Sequence, residues 1–174
     1  KAMEYMRDGM FVLPELTDQL IRGIGKKKSI GVLCSFEMLE TLDAKGFRDV
    51  TLIVEERPLK YIRNICTKYG YAVKTIEETE DMKFDVVLGN PPFTLKTEKK
   101  GGRPNKSGVR EFLNMAMRIS DEVIMISPCH FCAPIQKFSP SWKKLRTSIN
   151  EFGVHEVRPI DQKKHFPTVS FHNA

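Results

Sequence analysis

The sequence predicts an α/β domain built on a mostly parallel β-sheet with helices on both faces. Predicted strands and helices alternate along nearly the whole chain, which is typical of parallel sheets covered by helices. Several predicted strands are also apolar at almost every position, as in Val-Thr-Leu-Ile-Val at 50–54. Strands that are buried on both faces have this composition, because neither side chain direction meets water.

Each element has its own local signal. β-branched and apolar runs bounded by turn residues predict seven strands: Ser29–Cys34, Val50–Val54, Tyr71–Ile76, Phe84–Leu88, Glu122–Ser127, Val154–Ile160 and Thr168–Phe171. Apolar residues at helical spacing predict five helices: Pro14–Ile24, Phe36–Ala44, Leu59–Tyr69, Val109–Ile119 and Trp142–Phe152. The residues between Phe93 and Val109 are predicted to form a polar, glycine-containing loop.

Size and composition indicate one globular domain over residues 1–174. The chain is 41% hydrophobic and 29% charged, the balance of an ordinary soluble protein. No apolar run approaches the roughly 20 residues needed to cross a bilayer, so we expect a cytoplasmic protein with no membrane partner. The chain begins at Lys1 and stops within a strand-like stretch, so we expect it to be part of a longer protein.

Charge and cysteine usage point to an intracellular nucleic-acid-binding protein. The net charge of +6 and pI of about 9.1 suit a polyanionic partner. The cysteines, at 34, 66, 129 and 132, are scattered through apolar or mixed stretches, which favours reduced core thiols over disulfides. Cys129 and Cys132 form a C-x-x-C pair, but no second pair stands at zinc-site spacing, so core packing is favoured and no metal is predicted.

The sharpest motif follows the fourth predicted strand, as Asn90-Pro91-Pro92-Phe93. Neither proline can donate to a sheet, so the strand must end there. Their fixed φ angles can hold the Asn90 side chain and the Pro91 carbonyl toward one pocket, where two acceptors suit a planar amino group. Phe93 offers a flat face on which a base can stack. The alternative is a turn-forming Asn90 with a core Phe93.

This motif resembles that of the S-adenosylmethionine-dependent amino-methyltransferases, which carry N-P-P-F/Y after the fourth strand. The resemblance implies a Rossmann-like class I methyltransferase fold with seven strands. It implies that Asn90 and Pro91 accept hydrogen bonds from the target amine, that Pro92 shapes the turn, and that Phe93 stacks on a flipped base. The cofactor would be S-adenosylmethionine, and the order of the motifs is similar to that of one class of DNA enzymes that methylate adenine N6.

Other segments extend the resemblance to the cofactor site. Glu55 stands at the end of the second strand, where the family holds the cofactor ribose. After the third strand, Glu77 or Glu78 is a candidate for the cofactor adenine, although the acidic composition of that stretch favours a solvated turn. Phe11 and Pro14 resemble the F-x-T-P segment that lines the methionine end, with Leu13 in place of threonine. Phe166 lies in a stretch similar to the late F-x-x-V segment and is a candidate nucleic-acid contact.

The first strand departs from the family pattern. A glycine-rich turn should follow it, whereas this chain has Cys34-Ser35-Phe36-Glu37. Two interpretations stay open: Ser35 and Glu37 bind the amino-acid end of the cofactor in a rebuilt loop, or the cofactor site is weakened or lost.

The predicted loop after Phe93 is strongly basic. Glu98 is its one acidic residue, and its cations are Lys96, Lys99, Lys100, Arg103 and Lys106. Its place directly after the proposed base pocket favours a role in gripping phosphates of a flipped strand over that of a merely solvated loop. A second cluster, Lys143, Lys144 and Arg146 on a helix, is interpreted as ordinary surface.

These observations leave a ranked set of functions. DNA adenine methylation comes first and an RNA base amino-methyltransferase second. A non-catalytic nucleic-acid-binding subunit is favoured by the missing glycines, and a protein-glutamine enzyme is disfavoured by the basic loop. DNA enzymes of this class usually carry a target-recognition domain after the late segment, so we expect that domain to be separate from this chain or missing.

Overall fold

Five parallel strands form the central sheet. They are β1 (Ile30–Leu33), β2 (Val50–Val54), β3 (Ala72–Thr75), β4 (Phe84–Gly89) and β7 (Ser120–Met125), in the order β3-β2-β1-β4-β7. All four pairings are parallel. The computed structural model describes residues 12–55, 60–92, 94–96, 105–127 and 140–166. This strand order is that of a doubly wound, Rossmann-like sheet, in which the direction of winding reverses between β1 and β4.

Helices cover both faces of the sheet, as the sequence predicts. The helices are α1 (Pro14–Leu20), α2 (Leu39–Ala44), α3 (Lys60–Tyr69), α4 (Gly108–Ile119), α5 (Pro140–Phe152) and α6 (Gln162–His165). On one face, Leu16, Leu42 and Cys66 pack with Val32 and Leu52 of the sheet. On the other face, the apolar side of α4 packs against inward-facing residues of β1, β2 and β4. Alternate residues of one strand therefore enter different cores.

The connections at the carboxyl ends of β1 and β3 are short. A 3₁₀ turn, Phe36–Met38, leads from β1 into α2. Another 3₁₀ turn, Glu77–Thr79, is the one helical piece in the link from β3 to β4. Parallel strands are usually joined by a full α-helix, so this link adds no α-helix of its own to the cover of the sheet.

Two sequence predictions about strands are wrong. Val154–Ile160 has no regular structure, and Val154 and Val157 are 52% and 60% exposed. Its apolar residues have no described neighbouring strand to pair with, and a strand needs one. The predicted polar loop contains instead an antiparallel hairpin of β5 (Thr94–Lys96) and β6 (Asn105–Ser107). Seven strands in one sheet are not confirmed, and Thr168–Phe171 lies outside the described residues.

Within the described ranges, no helix has the length and apolar composition that would let it span a bilayer.

The close approach of β1 and β4 depends on Gly89. A Cβ atom at this position would overlap the Leu33 carbonyl oxygen and stand 3.0 Å from the Leu33 Cβ atom. Leu33 is fully buried and pairs with Gly89 across the two strands. Because the clash involves the Leu33 backbone, rotation of a side chain cannot relieve it. Glycine is therefore required here by contact with backbone.

We expect Gly89→Ala to lower the free energy of unfolding by about 1–3 kcal/mol or more, the usual effect of overpacking a core. Urea unfolding measures this loss. Gly25→Ala is the matched control, because its added Cβ would meet only the Lys28 Cγ atom, at 3.9 Å. Equal stability of the two variants would contradict the close approach.

Candidate active site

The order of the strands in the sheet reverses direction between β1 and β4. In open α/β sheets ligands bind beyond the carboxyl ends of the strands, at this switch point. Here it lies between β1 and β4. The residues that follow those strands, Cys34 and Ser35 after β1 and Asn90 and Pro91 after β4, therefore lie together at this edge of the sheet, which we call the crevice.

Ser35 joins the two sides of the crevice. Its side chain is completely buried, and its hydroxyl donates to the Leu33 carbonyl at 3.1 Å. The same oxygen accepts the backbone N–H of Asn90 at 2.7 Å. This hydroxyl is thus committed within the protein, and it holds the start of the Asn90-Pro91-Pro92 segment against the end of β1. We call this pair of hydrogen bonds the Ser35 bridge.

Asn90 and Pro91 are both buried, and Asn90 is 6% exposed. The last rung between β4 and the chain after β7 is the bond from the Ile126 N–H to the Gly89 carbonyl, 3.0 Å. Beyond it the prolines have no N–H to continue the ladder. The segment therefore leaves the sheet at the crevice, as the sequence predicts, while Phe93 lies outside the described residues.

Cys34 makes a tight turn directly after β1. Its φ is 55°, in the left-handed region, and its N–H donates to the Ile53 carbonyl at 2.8 Å. This conformation is uncommon for residues other than glycine. The chain thus obtains the backbone geometry of a glycine turn at this position, although it keeps a side chain there.

Two carboxylates flank Cys34. Burial and the charge of Glu55 raise the pKa of the Cys34 thiol well above its ordinary value, and Glu37 acts in the same direction. The Glu55 backbone N–H opposes this shift by hydrogen-bonding the sulfur. The thiol is therefore held in its neutral form, so it does not act as a thiolate nucleophile.

Glu37 is partly buried. Burial raises its pKa to about 7, even though its own backbone N–H and that of Val12 stabilise the charged form. The Val12 nitrogen lies 3.3 Å from Glu37 Oε1. This bond brings the segment before α1 to the turn after β1. Pro14 is exposed at the first position of α1, and Phe11 lies outside the described residues.

A cavity of about 430 Å³ opens beside Glu55. Ile76, Phe112 and Met115 give it apolar walls, and its polar lining residues are Glu55, Glu111, Asn114 and Arg118. Its volume is in the range of small-molecule sites. Ile76, and not the predicted Glu77, lines it from β3. Glu77 is exposed, and the neighbouring Glu78 accepts the Thr75 N–H at 2.7 Å.

Sequence reasoning missed the contribution of α4 to this cavity. The apolar spacing of α4 predicts a core-facing stripe, which is correct for Phe112 and Ala116. The same spacing does not show which exposed residues beside the stripe line the cavity. The position of the cavity depends on the short link between β3 and β4.

The other predicted residues fall in different places. Lys96 and Lys106 lie on β5 and β6 of the hairpin, whereas Lys99, Lys100 and Arg103 lie outside the described residues. Phe166 is 6% exposed and packs in the core beside Val12 and Leu16. A ring held in the core cannot stack on a base, so the predicted nucleic-acid contact through Phe166 is corrected to a packing role.

The described residues contain no group of three or more histidine, cysteine and acidic side chains that could hold a metal ion. Cys129 and Cys132 lie outside those residues.

No protein-family model matches the chain, and no curated protein matches it in sequence. Among solved structures, a shikimate 5-dehydrogenase-like protein is similar at 16% identity with a TM-score of 0.41. The similarity covers 86% of this chain and 58% of that one, so this chain spans less than two thirds of its length. At this TM-score the likeness carries no argument about activity.

The Ser35 bridge can be tested through stability. Ser35→Ala leaves the buried Asn90 N–H without its acceptor, which should cost about 1–3 kcal/mol in the free energy of unfolding. Amide hydrogen exchange should also become faster at Asn90.

Ser120→Ala is the control for this change. Ser120 is equally buried at 3% exposure, but its hydroxyl only donates, to the Ala116 carbonyl at 2.7 Å. Loss of the Ser120 hydroxyl leaves no N–H group without an acceptor. We therefore expect the free energy of unfolding to fall by less, about 0.5–1 kcal/mol. Unchanged exchange at Asn90 in Ser35→Ala would rule out the bridge.

Proposed function

We propose that this chain binds S-adenosylmethionine and methylates the N6 amino group of adenine in DNA after the base is flipped out of the duplex. One observation carries the proposal: Asn90 and Pro91 lie buried at the switch point of the sheet, held to the end of β1 by the Ser35 bridge. A motif that only ended a strand would not need this attachment. Acceptors fixed in a crevice suit an amino group that must be oriented.

The crevice has groups that fit each part of the cofactor. Glu37 fits the α-ammonium group, since a buried carboxylate gains most from a cationic partner. Glu55 fits the ribose hydroxyls, and the cavity beside it, with Ile76 on its wall, fits a flat base. When bound, the cofactor supplies a methyl group on a positively charged sulfur. The left-handed turn at Cys34 provides the glycine-like backbone conformation expected near its methionine end.

The residues of the chain supply orientation. The adenine amine is a poor nucleophile because its lone pair is delocalised into the ring. Hydrogen bonds from the amine to the Asn90 side chain and the Pro91 carbonyl favour a pyramidal nitrogen with a localised lone pair. The same acceptors stabilise positive charge as it develops on that nitrogen. Proximity and these dipoles account for the rate gain, and no carboxylate base takes part.

A second candidate is a nucleic-acid-binding subunit that has lost the cofactor. It is favoured by the side chains of Cys34 and Ser35, which occupy a turn where the family has glycine. Calorimetry with S-adenosylmethionine separates the two proposals, because the subunit would bind none. Tritium transfer from the cofactor to DNA and to RNA, measured side by side, then distinguishes adenine methylation in DNA from an RNA activity.

Asn90→Ala should reduce single-turnover methyl transfer by about 100-fold or more, the usual cost of removing one preorganised partner. The melting temperature should barely change, because the Ser35 bridge uses the backbone N–H of Asn90 and survives the substitution. Asn90→Asp, which keeps an acceptor, should be milder. If Asn90→Ala methylates adenine at the parental rate, the crevice is not the active site.

Cofactor affinity should depend on pH through Glu37. Below about pH 7 the free protein holds Glu37 protonated, so pairing with an ammonium group must release that proton. The affinity should therefore fall as the pH drops below about 7, approaching tenfold per pH unit, and should level off above it. Calorimetry in buffers of different ionisation enthalpy measures the released proton directly.

Glu37→Gln is the control for the pH dependence. It keeps a hydrogen-bond acceptor for the Val12 N–H but cannot ionise, so its affinity should be weak and flat from about pH 6 to about pH 8. A parental pH profile in this variant would assign the titration to another group.

A further inference from the structure

A second hollow, of about 250 Å³, separates α4 from α5. Arg110 and Asn114 line it from α4, and Lys144 and Ser148 line it from α5, with Leu145 between them. We call this hollow the α4–α5 groove. Leu145 is 1% exposed and packs with Val109 and Leu113, so the two helices are held together below the groove. Its walls are therefore set by core packing.

The groove is lined by hydrogen-bond donors and positive charge. Arg110 is 30% exposed and forms an ion pair with Glu111 at 2.9 Å, which offsets part of its charge, and Glu111 itself lines the other cavity. Lys144 is exposed, and among the described residues no ion pair involves it. The Ser148 hydroxyl donates only to the Lys144 carbonyl of its own helix, at 3.3 Å. Among the described residues that line the groove, none is acidic.

The position of the groove follows from strand direction. Because β4 and β7 are parallel and α4 leads directly into β7, α4 runs antiparallel to the strands. Its first turn, with Arg110, therefore lies at the carboxyl end of the sheet, as Asn90 does. A chain of phosphates passing the crevice would reach this end of α4.

We propose that the α4–α5 groove binds a backbone phosphate of the nucleic acid, through Arg110 and Lys144 with Asn114 and Ser148 as neutral donors. Guanidinium, ammonium, amide and hydroxyl groups around one hollow are the usual partners of a phosphodiester oxygen. This inference rests on the proposed function for the nature of the ligand. It revises the interpretation of the basic cluster on α5, because it separates Lys144, which lines the groove, from Lys143, which does not.

Lys143 and Lys144 provide a matched test. Both are exposed, both lie on α5, and each substitution by alanine removes one positive charge. The affinity of a fluorescently labelled DNA duplex is measured across a salt series for both variants. Lys144→Ala should reduce the slope of log affinity against log salt by about 0.9, the value for one lost phosphate contact, whereas Lys143→Ala should leave the slope nearly unchanged. Lys144→Arg should restore it.

Equal slopes for Lys143→Ala and Lys144→Ala would contradict the proposed phosphate site in the α4–α5 groove, because they would indicate only diffuse attraction to a basic surface. Saturable binding of inorganic phosphate that depends on Lys144, while DNA binding does not, would also overturn it and assign the groove to a small phosphorylated molecule. Loss of inorganic phosphate binding and of the DNA slope together would support the groove.

The two proposals can fail separately. Methyl transfer and calorimetry with S-adenosylmethionine are measured on the same variants. If Lys144→Ala alone loses DNA affinity and the protein binds no cofactor, the phosphate site in the groove is supported and the proposed methyltransferase activity is refuted. Methyl transfer to DNA with identical salt slopes for both lysine variants would support the enzyme and refute the groove.

Discussion

The crevice depends on how closely β1 and β4 approach each other at their carboxyl ends. Gly89 lets the strands meet without a Cβ atom in the way, and the Ser35 hydroxyl then joins the end of β1 to the Asn90 backbone. The first contact is steric and the second is a directed hydrogen bond. Together they fix the backbone of Asn90 at the end of β4.

The electrostatics of the crevice follow from the same arrangement. Because β1 and β2 are parallel neighbours, Glu55 ends its strand beside Cys34, and the 3₁₀ turn after β1 places Glu37 on the other side. Burial of the Glu37 carboxyl is costly for its charged form. The raised pKa of Glu37 reflects that cost, and a ligand with an ammonium group would remove it.

Sequence alone predicted the parts of the fold that leave a periodic or compositional signal. The apolar strands β1, β2 and β4 and the amphipathic α4 were identified within one or two residues. The hairpin was missed because backbone pairing of short polar strands leaves no hydrophobic pattern. Val154–Ile160 was wrongly assigned because alternation alone does not supply a neighbouring strand. The motif predicts that Asn90 and Pro91 lie at the crevice. The sequence does not predict the role of Ser35, because its hydrogen-bond partner lies 55 residues away along the chain.

The short link between β3 and β4 sets a limit on motion. In the pairing register, Thr75 of β3 lies level with Val54 of β2. Val86 of β4 lies level with Val50 of β2, and Phe84 precedes Val86 by two residues. With about 4.8 Å between strands and about 3.3 Å per residue, Thr75 and Phe84 lie about 25 Å apart on an ideal sheet. The nine steps of chain between them reach at most about 30 Å when extended, and the 3₁₀ turn shortens that reach. The link is therefore almost fully extended, so β3 cannot move away from β4. The cavity wall that Ile76 forms moves only with the sheet as a whole.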